Sequence, residues 1–307
     1  MKKLVLSLLF CLTTLALSNE VKVKIGITQI VEHPALDAAR EGIQRAFKEK
    51  AGDKNIEVDY QSAQGDFGTA QLIAKNFVSS KKDLIVAIST PSAQAALNTT
   101  KTIPIVFTAV TDHISAGLKG NNITGTLDAS PLKEQVELIK VLFPKAKKIG
   151  FIYNPSEQNS LVILKKFQEI LEENNLTIVE KGVNSINDIN LALNSLFKQI
   201  DVLYLPTDNL VSSAISLVNK KALDQKIPTI ASEEELVKKG SLVSQSIDYE
   251  KLGYQTGERI IEILNGREIK DIKVEGLKEN KLVVNKKTAE KLGISLEKTI
   301  LKDAIKY

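Results

Sequence analysis

Short apolar runs alternate with amphipathic segments along most of the 307-residue chain. Asp83–Ser89 reads DLIVAIS and Ile103–Thr108 reads IPIVFT, continuous runs that are typical of strands buried on both faces of a parallel sheet. Leu36–Ala51 and Asp248–Leu264 instead space their apolar residues three and four positions apart, which predicts amphipathic helices. Strands that alternate with helices of this length predict βαβ units and an α/β fold.

The same reasoning along the whole chain predicts a regular series of elements. The predicted strands are Val23–Thr28, Ile56–Gln61, Asp83–Ser89, Ile103–Thr108, Ile149–Tyr153, Leu176–Glu180, Asp201–Leu205, Ile227–Ile230, Leu242–Ser246 and Leu282–Asn285. The predicted helices are Leu36–Ala51, Thr69–Ser80, Ala93–Asn98, Ser160–Asn174, Ile186–Lys198, Leu210–Lys221, Asp248–Leu264 and Thr288–Leu292.

The alternation restarts near the middle of the chain. The dipeptide Ile25-Gly26 recurs as Ile149-Gly150 and Ile103-Pro104 recurs as Ile227-Pro228, both 124 positions later. The repeat predicts two doubly wound, Rossmann-like α/β lobes joined by a multi-strand hinge. We expect an N-terminal lobe of residues 19–127 plus 247–278 and a C-terminal lobe of residues 128–246 plus 279–307. The chain would cross between the lobes near Thr126–Ala129, Gln245–Asp248 and Gly276–Lys281.

The N-terminus has the pattern of a secretory signal peptide. Lys2-Lys3 precedes an apolar stretch from Leu4 to Leu17, which is too short to span a bilayer, and cleavage after Ser18 fits the small residue at Ala16. We expect residues 1–18 to be removed and the protein to be exported to the periplasm or cell surface, with an uncleaved anchor as the alternative. The only Cys, Cys11, lies in this segment, so the mature chain would offer no thiolate nucleophile or ligand.

Charge and motif content exclude several classes of function. The net charge of +4 comes from Lys and Arg residues that are interleaved with Asp and Glu, which is unlike a nucleic-acid-binding surface. The chain has no nucleophile elbow, phosphate-binding loop or zinc-protease motif, and His33 and His113 are its only histidines. We therefore expect no catalytic residues, no metal and no cofactor.

Polar side chains follow the predicted strands at their carboxyl ends, where ligands bind in doubly wound sheets. Ser89-Thr90-Pro91-Ser92 ends one strand and opens a helix, so its hydroxyls and free N–H groups suit a carboxylate. Asp208 lies 118 positions after Thr90 and would face it across the cleft, where it suits an ammonium group. The alternative for Asp208 is an N-cap of the following helix. A carboxylate site opposite an ammonium site predicts an α-amino acid ligand.

Seven segments together resemble one known family. TQIVEHPALD, QSAQGD, STPSAQ, FTAVTD, YNPSEQNS, PTDN and SIDYEKLGYQTG, in this order, resemble the ABC-transporter substrate-binding proteins of the TrpX type, over Val23 to Ile294. The resemblance implies the type I periplasmic-binding-protein arrangement, an exported receptor, and an aromatic amino acid as ligand. His113 departs from the family pattern, which often has Pro after the Asp of the VTD turn.

The resemblance also implies roles for site residues. Thr90 and Ser92 would bind the carboxylate, Asp208 the ammonium, and the His33 turn would close over the ligand side chain. The full set of ligand-binding residues that we expect is His33, Gln64, Thr90, Pro91, Ser92, Thr111, Asn159, Ser160, Asp208, Asn209 and Glu233. Candidate aromatic lining residues are Phe67, Phe107, Tyr153 and Tyr249.

The leading interpretation is an extracytoplasmic receptor that closes on an amino acid and delivers it to an ABC permease in the membrane. The other partners follow from this: a small-molecule ligand, no nucleic acid, and a monomeric protein. Two alternatives stay open at this point. One is a sensor subunit that binds the same ligand, and the other is an exported α/β enzyme.

Overall fold

The computed structural model describes residues 22–297 and 300–307. Its strands in these ranges are β1 Val23–Gln29, β2 Ile56–Ser62, β3 Leu84–Ile88, β4 Ile105–Val110, β5 Ile123–Leu127, β6 Lys148–Tyr153, β7 Thr177–Gly182, β8 Val202–Leu205, β9 Thr229–Ala231, β10 Val243–Ser246, β11 Glu275–Gly276, β12 Lys281–Val284 and β13 Ile305–Lys306. The predicted signal peptide lies outside the described residues.

Helices separate most of these strands. They are α1 Pro34–Lys50, α2 Phe67–Ser79, α3 Thr90–Thr99, α4 Leu132–Leu142, α5 Gln158–Glu173, α6 Ile186–Leu196, α7 Asn209–Ser213, α8 Ile215–Asp224, α9 Glu234–Lys238, α10 Tyr249–Leu264 and α11 Lys286–Leu292. In the part of the chain that the structure describes, no helix is long and apolar enough to cross a membrane.

The described strands form two sheets, each at the centre of one lobe. The sheet of lobe one has the order β11-β5-β4-β3-β1-β2, and all of its pairs are parallel. The sheet of lobe two has the order β13-β12-β10-β9-β8-β6-β7, in which β10 and β12 pair antiparallel. The predicted fold of two Rossmann-like lobes is confirmed, and the chain passes between them after β5, after β10 and after β11. The exact lobe boundaries remain a prediction.

Lobe one is held together by a close helix pair. Helices α1 and α10 pack against each other, and their backbones approach at Gly42 and Gly253. A Cβ atom at Gly253 would lie 1.8 Å from the carbonyl oxygen of Ala39, so only glycine allows this contact. The pairing brings α10, which follows most of lobe two in sequence, back onto lobe one.

Lobe two has an aromatic core instead. The rings of Phe167 and Tyr204 stack with their centroids 4.1 Å apart, and Phe151 stacks on Tyr204 at 5.8 Å. The buried Tyr204 hydroxyl donates to Gln135 Oε1 at 2.7 Å, and the Gln135 side chain donates to the Gln245 carbonyl at 2.8 Å. This network fixes the strand ends of lobe two beside the second crossing.

The predicted element series was wrong at one helix and omitted several elements, the short strands β11 and β13 among them. The predicted helix Leu210–Lys221 is two helices, because the chain leaves helical geometry at Ala214 after the short α7. Strand β5 was not predicted, since ITGTL is short and contains Gly125, where a Cβ would meet the Phe107 carbonyl oxygen at 2.2 Å. Helix α4 was also missed, although its buried residues Leu132, Val136 and Ile139 have helical spacing.

Candidate functional site

A narrow cavity lies between the two lobes, at the carboxyl ends of their strands, and its volume is about 270 Å³ when its open mouth is included. Both lobes and two of the crossings contribute to its walls. The lining residues are His33, Leu36, Thr90, Ala109, Thr111, Asp128, Asn159, Thr207, Asp208, Asn209, Ser212, Glu233 and Tyr249. Among these described lining residues there are three carboxyl groups and no Lys or Arg, so the cavity favours a cationic group.

The wall from lobe one is built on strained strand ends. Ser89, between β3 and α3, has a φ of 95°, and Ala109 at the end of β4 has a φ of 54°. Such backbone costs about 1–3 kcal/mol per residue and is concentrated at functional sites. It positions the N-terminus of α3 towards the cavity, where the hydroxyl of the buried Thr90 has no hydrogen-bond partner among the described residues. Free N–H groups and a free hydroxyl at this point suit an anionic group.

Asp208 lies on the wall from lobe two and is fully enclosed by donors of its own lobe. It is the N-cap of α7, so the cap that we weighed as an alternative is present: Oδ1 accepts from the Val211 N–H at 2.8 Å. Oδ2 accepts from the Asn154 N–H and the Ser160 hydroxyl, each at 2.6 Å. Burial raises the pKa of Asp208, while these donors act in the opposite direction.

Glu157, at the start of α5, forms a second buried acidic group behind the same wall. Its carboxyl accepts from the N–H groups of Asn209 and Leu210, each at 3.1 Å, and from the side chains of Asn209 and Asn159. Burial and the charge of Asp208 raise the pKa of Glu157 to about 7. These contacts position Asn159 and Asn209, which both line the cavity.

Two further buried acidic groups line the cavity: Asp128, where the chain first crosses between the lobes, and Glu233, which follows β9. Asp128, just after β5, accepts from the Thr111 hydroxyl at 2.9 Å and from the Tyr249 hydroxyl at 2.7 Å. Glu233, which follows β9, accepts from the Ser212 hydroxyl at 3.2 Å and lies against Tyr249. Burial, then the neighbouring Asp128, raise the pKa of Glu233 to about 8, and burial also raises the pKa of Asp128.

His33 joins the two walls. Its Nε2 lies 3.3 Å from Asn209 Oδ1, a buried contact from lobe one to lobe two. Burial lowers the pKa of His33 to about 4, so the ring is neutral at physiological pH. Because Nε2 faces the side-chain carbonyl oxygen of Asn209, it carries the proton and donates, which leaves Nδ1 as an acceptor with no partner in residues 22–297 and 300–307.

A second, wider cavity adjoins the first at Asn209 and has an empty volume of about 880 Å³, including its open mouth. Its lining combines apolar side chains with carboxamides. The lining residues are Ile30, Val31, Gln64, Gly65, Phe67, Pro91, Gln94, Asn154, Ser156, Glu157, Asn184, Ile186, Asn209, Leu210 and Ser213. A ligand with a polar end in the first cavity could extend an apolar or ring-shaped end into this one.

The structure brings most of the predicted binding residues together. Those that line the first cavity are His33, Thr90, Thr111, Asn159, Asp208, Asn209 and Glu233. Gln64 and Pro91 line the second cavity. Ser92 and Ser160 are completely buried and line neither, because Ser92 faces Ser89 and Ser160 donates to Asp208. Whether these residues bind a ligand stays a prediction.

The aromatic lining differs from the prediction. Tyr249 lines the first cavity and Phe67 the second, but Phe107 and Tyr153 line neither. Phe107 is completely buried in the core of lobe one, and Tyr153 packs its edge against Phe151. Sequence reasoning missed Asp128 as a cavity residue, because it lies at a crossing rather than after a predicted strand. The missed strand β5, which ends one residue earlier, was the signal that could have found it.

Comparison with protein families decides the classification. The model of the ABC transporter substrate binding protein family matches residues 24–307. The chain belongs to this family. The resemblance carried by the seven motifs is therefore confirmed, and members of the family bind the substrates of ABC transporters.

Three relatives are informative. A tyrosine-binding protein of Clostridioides difficile is 49% identical over 292 residues, which cover 92% of this chain and 84% of that protein. A Streptococcus pneumoniae structure in complex with L-Trp is 35% identical, has a TM-score of 0.88, and is matched over 93% of this chain and 99% of that one. A ligand-free, open structure of a Clostridium difficile substrate-binding protein is 48% identical but has a TM-score of only 0.69, with 92% and 98% coverage.

Proposed function

We propose that this chain is the extracytoplasmic receptor of an ABC importer and binds an aromatic amino acid between its lobes. The observation that carries the proposal is the cavity itself, which has the N-terminus of α3 in one wall, Asp208 and Glu233 in the wall from lobe two, and Asp128 where the chain crosses between them. An α-amino acid presents a carboxylate and an ammonium group at one end, and these match the two kinds of wall. The relatives that bind tyrosine and L-Trp support this ligand class.

The aromatic end of the ligand would enter the second cavity. Ile30, Phe67, Ile186 and Leu210 offer apolar surface there, with carboxamides around them. An aromatic ring gains from area burial and about 0.5–1.5 kcal/mol more from each aromatic contact. Phe67 is 41% exposed in the structure and is the aromatic side chain that such a ring would cover.

We further propose that the lobes close on the ligand by hinge motion at the three crossings. The open, ligand-free relative fits this structure less well than the L-Trp complex does, although its sequence is more similar. We infer from this order that the open relative differs in lobe arrangement and that the present structure is the closed form. The contacts of His33 with Asn209 and of Lys166 with Asp112 join the lobes in this form.

Export and delivery complete the proposal. The signal peptide of residues 1–18 would be removed, so the intact mass of the exported protein should start near Asn19. A full-length chain in the membrane fraction would contradict this. The released ligand would pass to an ABC permease, and no covalent bond would be broken.

A thermal-shift panel tests the ligand class. The purified protein would be heated with each of the twenty amino acids, with common sugars and with simple anions, and native mass spectrometry would identify any co-purified small molecule. We expect the largest stabilisation from L-tyrosine, L-tryptophan or L-phenylalanine, with micromolar or tighter binding. Stabilisation by a sugar or an anion, and by no amino acid, would contradict the assignment.

A further inference from the structure

The second and third crossings leave lobe two at the same place. Strand β10 ends at Ser246, and the chain then enters α10, which packs on α1 of lobe one. The chain returns from β11, a strand of the lobe-one sheet, and enters β12 at Lys281. Ser246 and Lys281 are opposite each other in the antiparallel pair of β10 and β12, so the two crossings lie side by side. A side chain at this position can reach both lobes.

Lys281 contacts a carboxylate of each lobe. Its Nζ lies 2.9 Å from Oδ2 of Asp248, the N-cap of α10 on the side of lobe one. The same Nζ is ion-paired with Glu234, the first residue of α9 in lobe two. The side chains of Lys281 and Asp248 are 27% and 23% exposed, and that of Glu234 is 6% exposed. These pairs are therefore better shielded from water and salt than ion pairs on an open surface.

Both carboxylates are held towards Lys281 by other contacts. Asp248 Oδ1 accepts from the Lys251 N–H at 3.1 Å, so Oδ2 is left to Lys281. Glu234 Oε1 accepts from the Tyr307 hydroxyl, and Oε2 pairs with Lys281. Burial acts to raise the pKa of each acid, but the hydrogen bond from Lys281 and the other contacts outweigh it and hold both pKa values below their usual range. Both acids are therefore ionised at neutral pH.

The charges on the two sides of the hinge support this contact. An open gap beside the crossings separates α1 and the start of α10 in lobe one from α9 in lobe two. The charged residues that line the gap from lobe one are all acidic, whereas every lysine that lines it comes from lobe two. Among these described lining residues, only Lys281 forms an ion pair with an acid of the other lobe, since Lys238 pairs within α9. Lys281 is therefore the charged contact that joins the lobes at the hinge.

We propose that Lys281 is the positioning residue of the hinge, which holds the lobes in the arrangement of this structure by pairing with Asp248 and Glu234 at the same time. The inference rests on the proposed closure and deepens it. Lys281 lines neither cavity, so it acts on ligand binding only through the lobe arrangement. The contact with Asp248 fixes the start of α10, whose first residue Tyr249 lines the first cavity. Loss of the contact should favour more open lobes and weaken binding.

Two substitutions, the test variants, break the contact and preserve the elements that carry it. Lys281→Met keeps an unbranched side chain and removes the ammonium group. Asp248→Asn removes the charge but keeps the cap of α10, since Asn and Asp are about equally good N-caps. Lys238→Met is the matched control, because Lys238 also pairs with two acids, Glu234 and Glu235, but all three lie in α9. Thermal unfolding should show similar losses of stability for the two lysine variants.

Calorimetry measures the effect on binding, with L-tyrosine, L-tryptophan and L-phenylalanine as probes. The test variants should each weaken binding by roughly tenfold, which lies within the usual range of coupling between distant sites. The double variant should bind about as weakly as Lys281→Met alone, since both substitutions remove the same interaction. Lys238→Met should bind within about threefold of the wild type, because its ion pairs do not join the lobes.

Spin labels measure the lobe arrangement directly. The sequence after Cys11 contains no Cys, so Leu72→Cys on α2 and Leu191→Cys on α6, both at exposed positions, place one label in each lobe of the mature protein. The starts of α2 and α6 both line the second cavity, so opening of the lobes lengthens the distance between the labels. Without ligand, the test variants should give a longer mean distance than the wild type and Lys238→Met.

The outcomes separate this inference from the proposed function. Unchanged affinity and unchanged label distances in both test variants would overturn the role of Lys281 and leave the receptor function intact. A loss of affinity with unchanged distances would also overturn it, because the lobe arrangement would then not depend on Lys281. If the wild type bound none of the three amino acids, the proposed function would fail, and the label distances of the ligand-free proteins would still decide the role of Lys281.

Discussion

The two walls of the cleft are built from similar βα units, but only the wall from lobe two contributes acidic side chains. Lobe one contributes His33, Thr90 and Thr111, which are neutral, around the N-terminus of a helix. Lobe two contributes Asp208 and Glu233, with Glu157 behind the wall. A zwitterion placed between such walls has one preferred orientation, because its carboxylate and its ammonium group each match one side. The side chains of the walls also differ in how they are bonded. Asp208 and Glu157 accept hydrogen bonds from lobe two, whereas the Thr90 hydroxyl has no partner among the described residues and is available to a ligand.

Removing the Asp208 carboxyl should give the largest effect, and the effect should be on stability. Asp208→Ala deletes the cap of α7 and leaves the Asn154 N–H and the Ser160 hydroxyl unpaired, so the free energy of unfolding should fall by roughly 3 kcal/mol. Asp66→Ala, which removes only the exposed cap of α2, is the matched control and should cost about 1 kcal/mol. Chemical denaturation measures both.

A loss of affinity without the predicted loss of stability would assign Asp208 to ligand binding instead of to the structure of the wall. If Asp208→Ala were no less stable than Asp66→Ala, and its affinity for L-tyrosine fell by about 30-fold, Asp208 would be the ammonium partner.

Lowering the pH should reduce the free energy of unfolding through His33, a buried residue of the lobe-one wall. The buried ring has a pKa of about 4 against an ordinary value of 6.5, so the folded protein binds fewer protons than the unfolded chain between these values. Stability from this group therefore rises with pH from about 4 to about 6.5 and is constant above. At pH 4 the cost approaches at most about 3 kcal/mol.

His33→Gln should remove this dependence. Melting temperatures of the wild type and of the variant, measured from pH 4 to pH 7, should differ most at neutral pH and converge or cross in acid. His113→Gln controls for the loss of an imidazole outside the cavity. A wild-type profile that His33→Gln leaves unchanged would show that the ring is not buried in solution.

The hydroxyl of Thr90 should matter for affinity and not for stability. Thr90→Val keeps the shape of the side chain and removes a buried hydroxyl that has no partner in the described part of the chain, so the melting temperature should stay the same or rise slightly. Affinity for L-tyrosine should fall about tenfold, because a hydrogen bond to a charged group is lost. Thr99→Val, at the other end of α3, is the matched control. Equal binding by Thr90→Val and the wild type would remove Thr90 from the carboxylate site.

The smallest effect is expected where the walls meet at the surface. Lys166 Nζ lies 3.2 Å from Asp112 Oδ2, and the Lys166 side chain is 54% exposed. Exposed ion pairs contribute about 0–1 kcal/mol and are screened by salt, so Lys166→Ala should change affinity less than about threefold at 0.15 M salt. Lys165→Ala, the exposed neighbour, is the control. A tenfold loss specific to Lys166→Ala would show that this pair governs closure.

The sequence predicts the frame of the molecule well, because apolar runs such as Asp83–Ser89 and the paired landmarks at Ile25 and Ile149 follow directly from burial on both sheet faces. It also predicts the strand ends that carry Thr90 and Asp208. The prediction fails where tertiary contacts determine the structure. Strand β5 packs so closely against the Phe107 backbone that it requires a glycine at Gly125, and the sequence alone reads that glycine as a strand breaker. Ala214 likewise divides one predicted helix into two. The position of Asp128 in the cavity follows from β5, which ends at the preceding residue, so the sequence predicts neither the strand nor this cavity residue.

The site's internal bonding could not be predicted in the same way. Nothing in the spacing of Asp208 and Glu157 indicates that both carboxyls are enclosed by donors of their own lobe. Glu233 lies against Tyr249 because Tyr249 begins α10, which packs on α1 of lobe one. Glycines in both helices allow this close packing. Sequence reasoning identifies which residues reach the cleft, and the structure shows which of them have unused hydrogen-bonding capacity.

The central claim is that the cleft recognises both the carboxylate and the ammonium group of one α-amino acid. It is tested most directly by calorimetric titration of the wild-type protein with L-tyrosine, with tyramine, which lacks the carboxylate, and with 3-(4-hydroxyphenyl)propionate, which lacks the ammonium group. We predict micromolar or tighter binding of L-tyrosine and at least roughly tenfold weaker binding of each analogue, since each leaves buried partners unpaired. Binding of either analogue as tightly as L-tyrosine, or no binding of L-tyrosine, would contradict the claim.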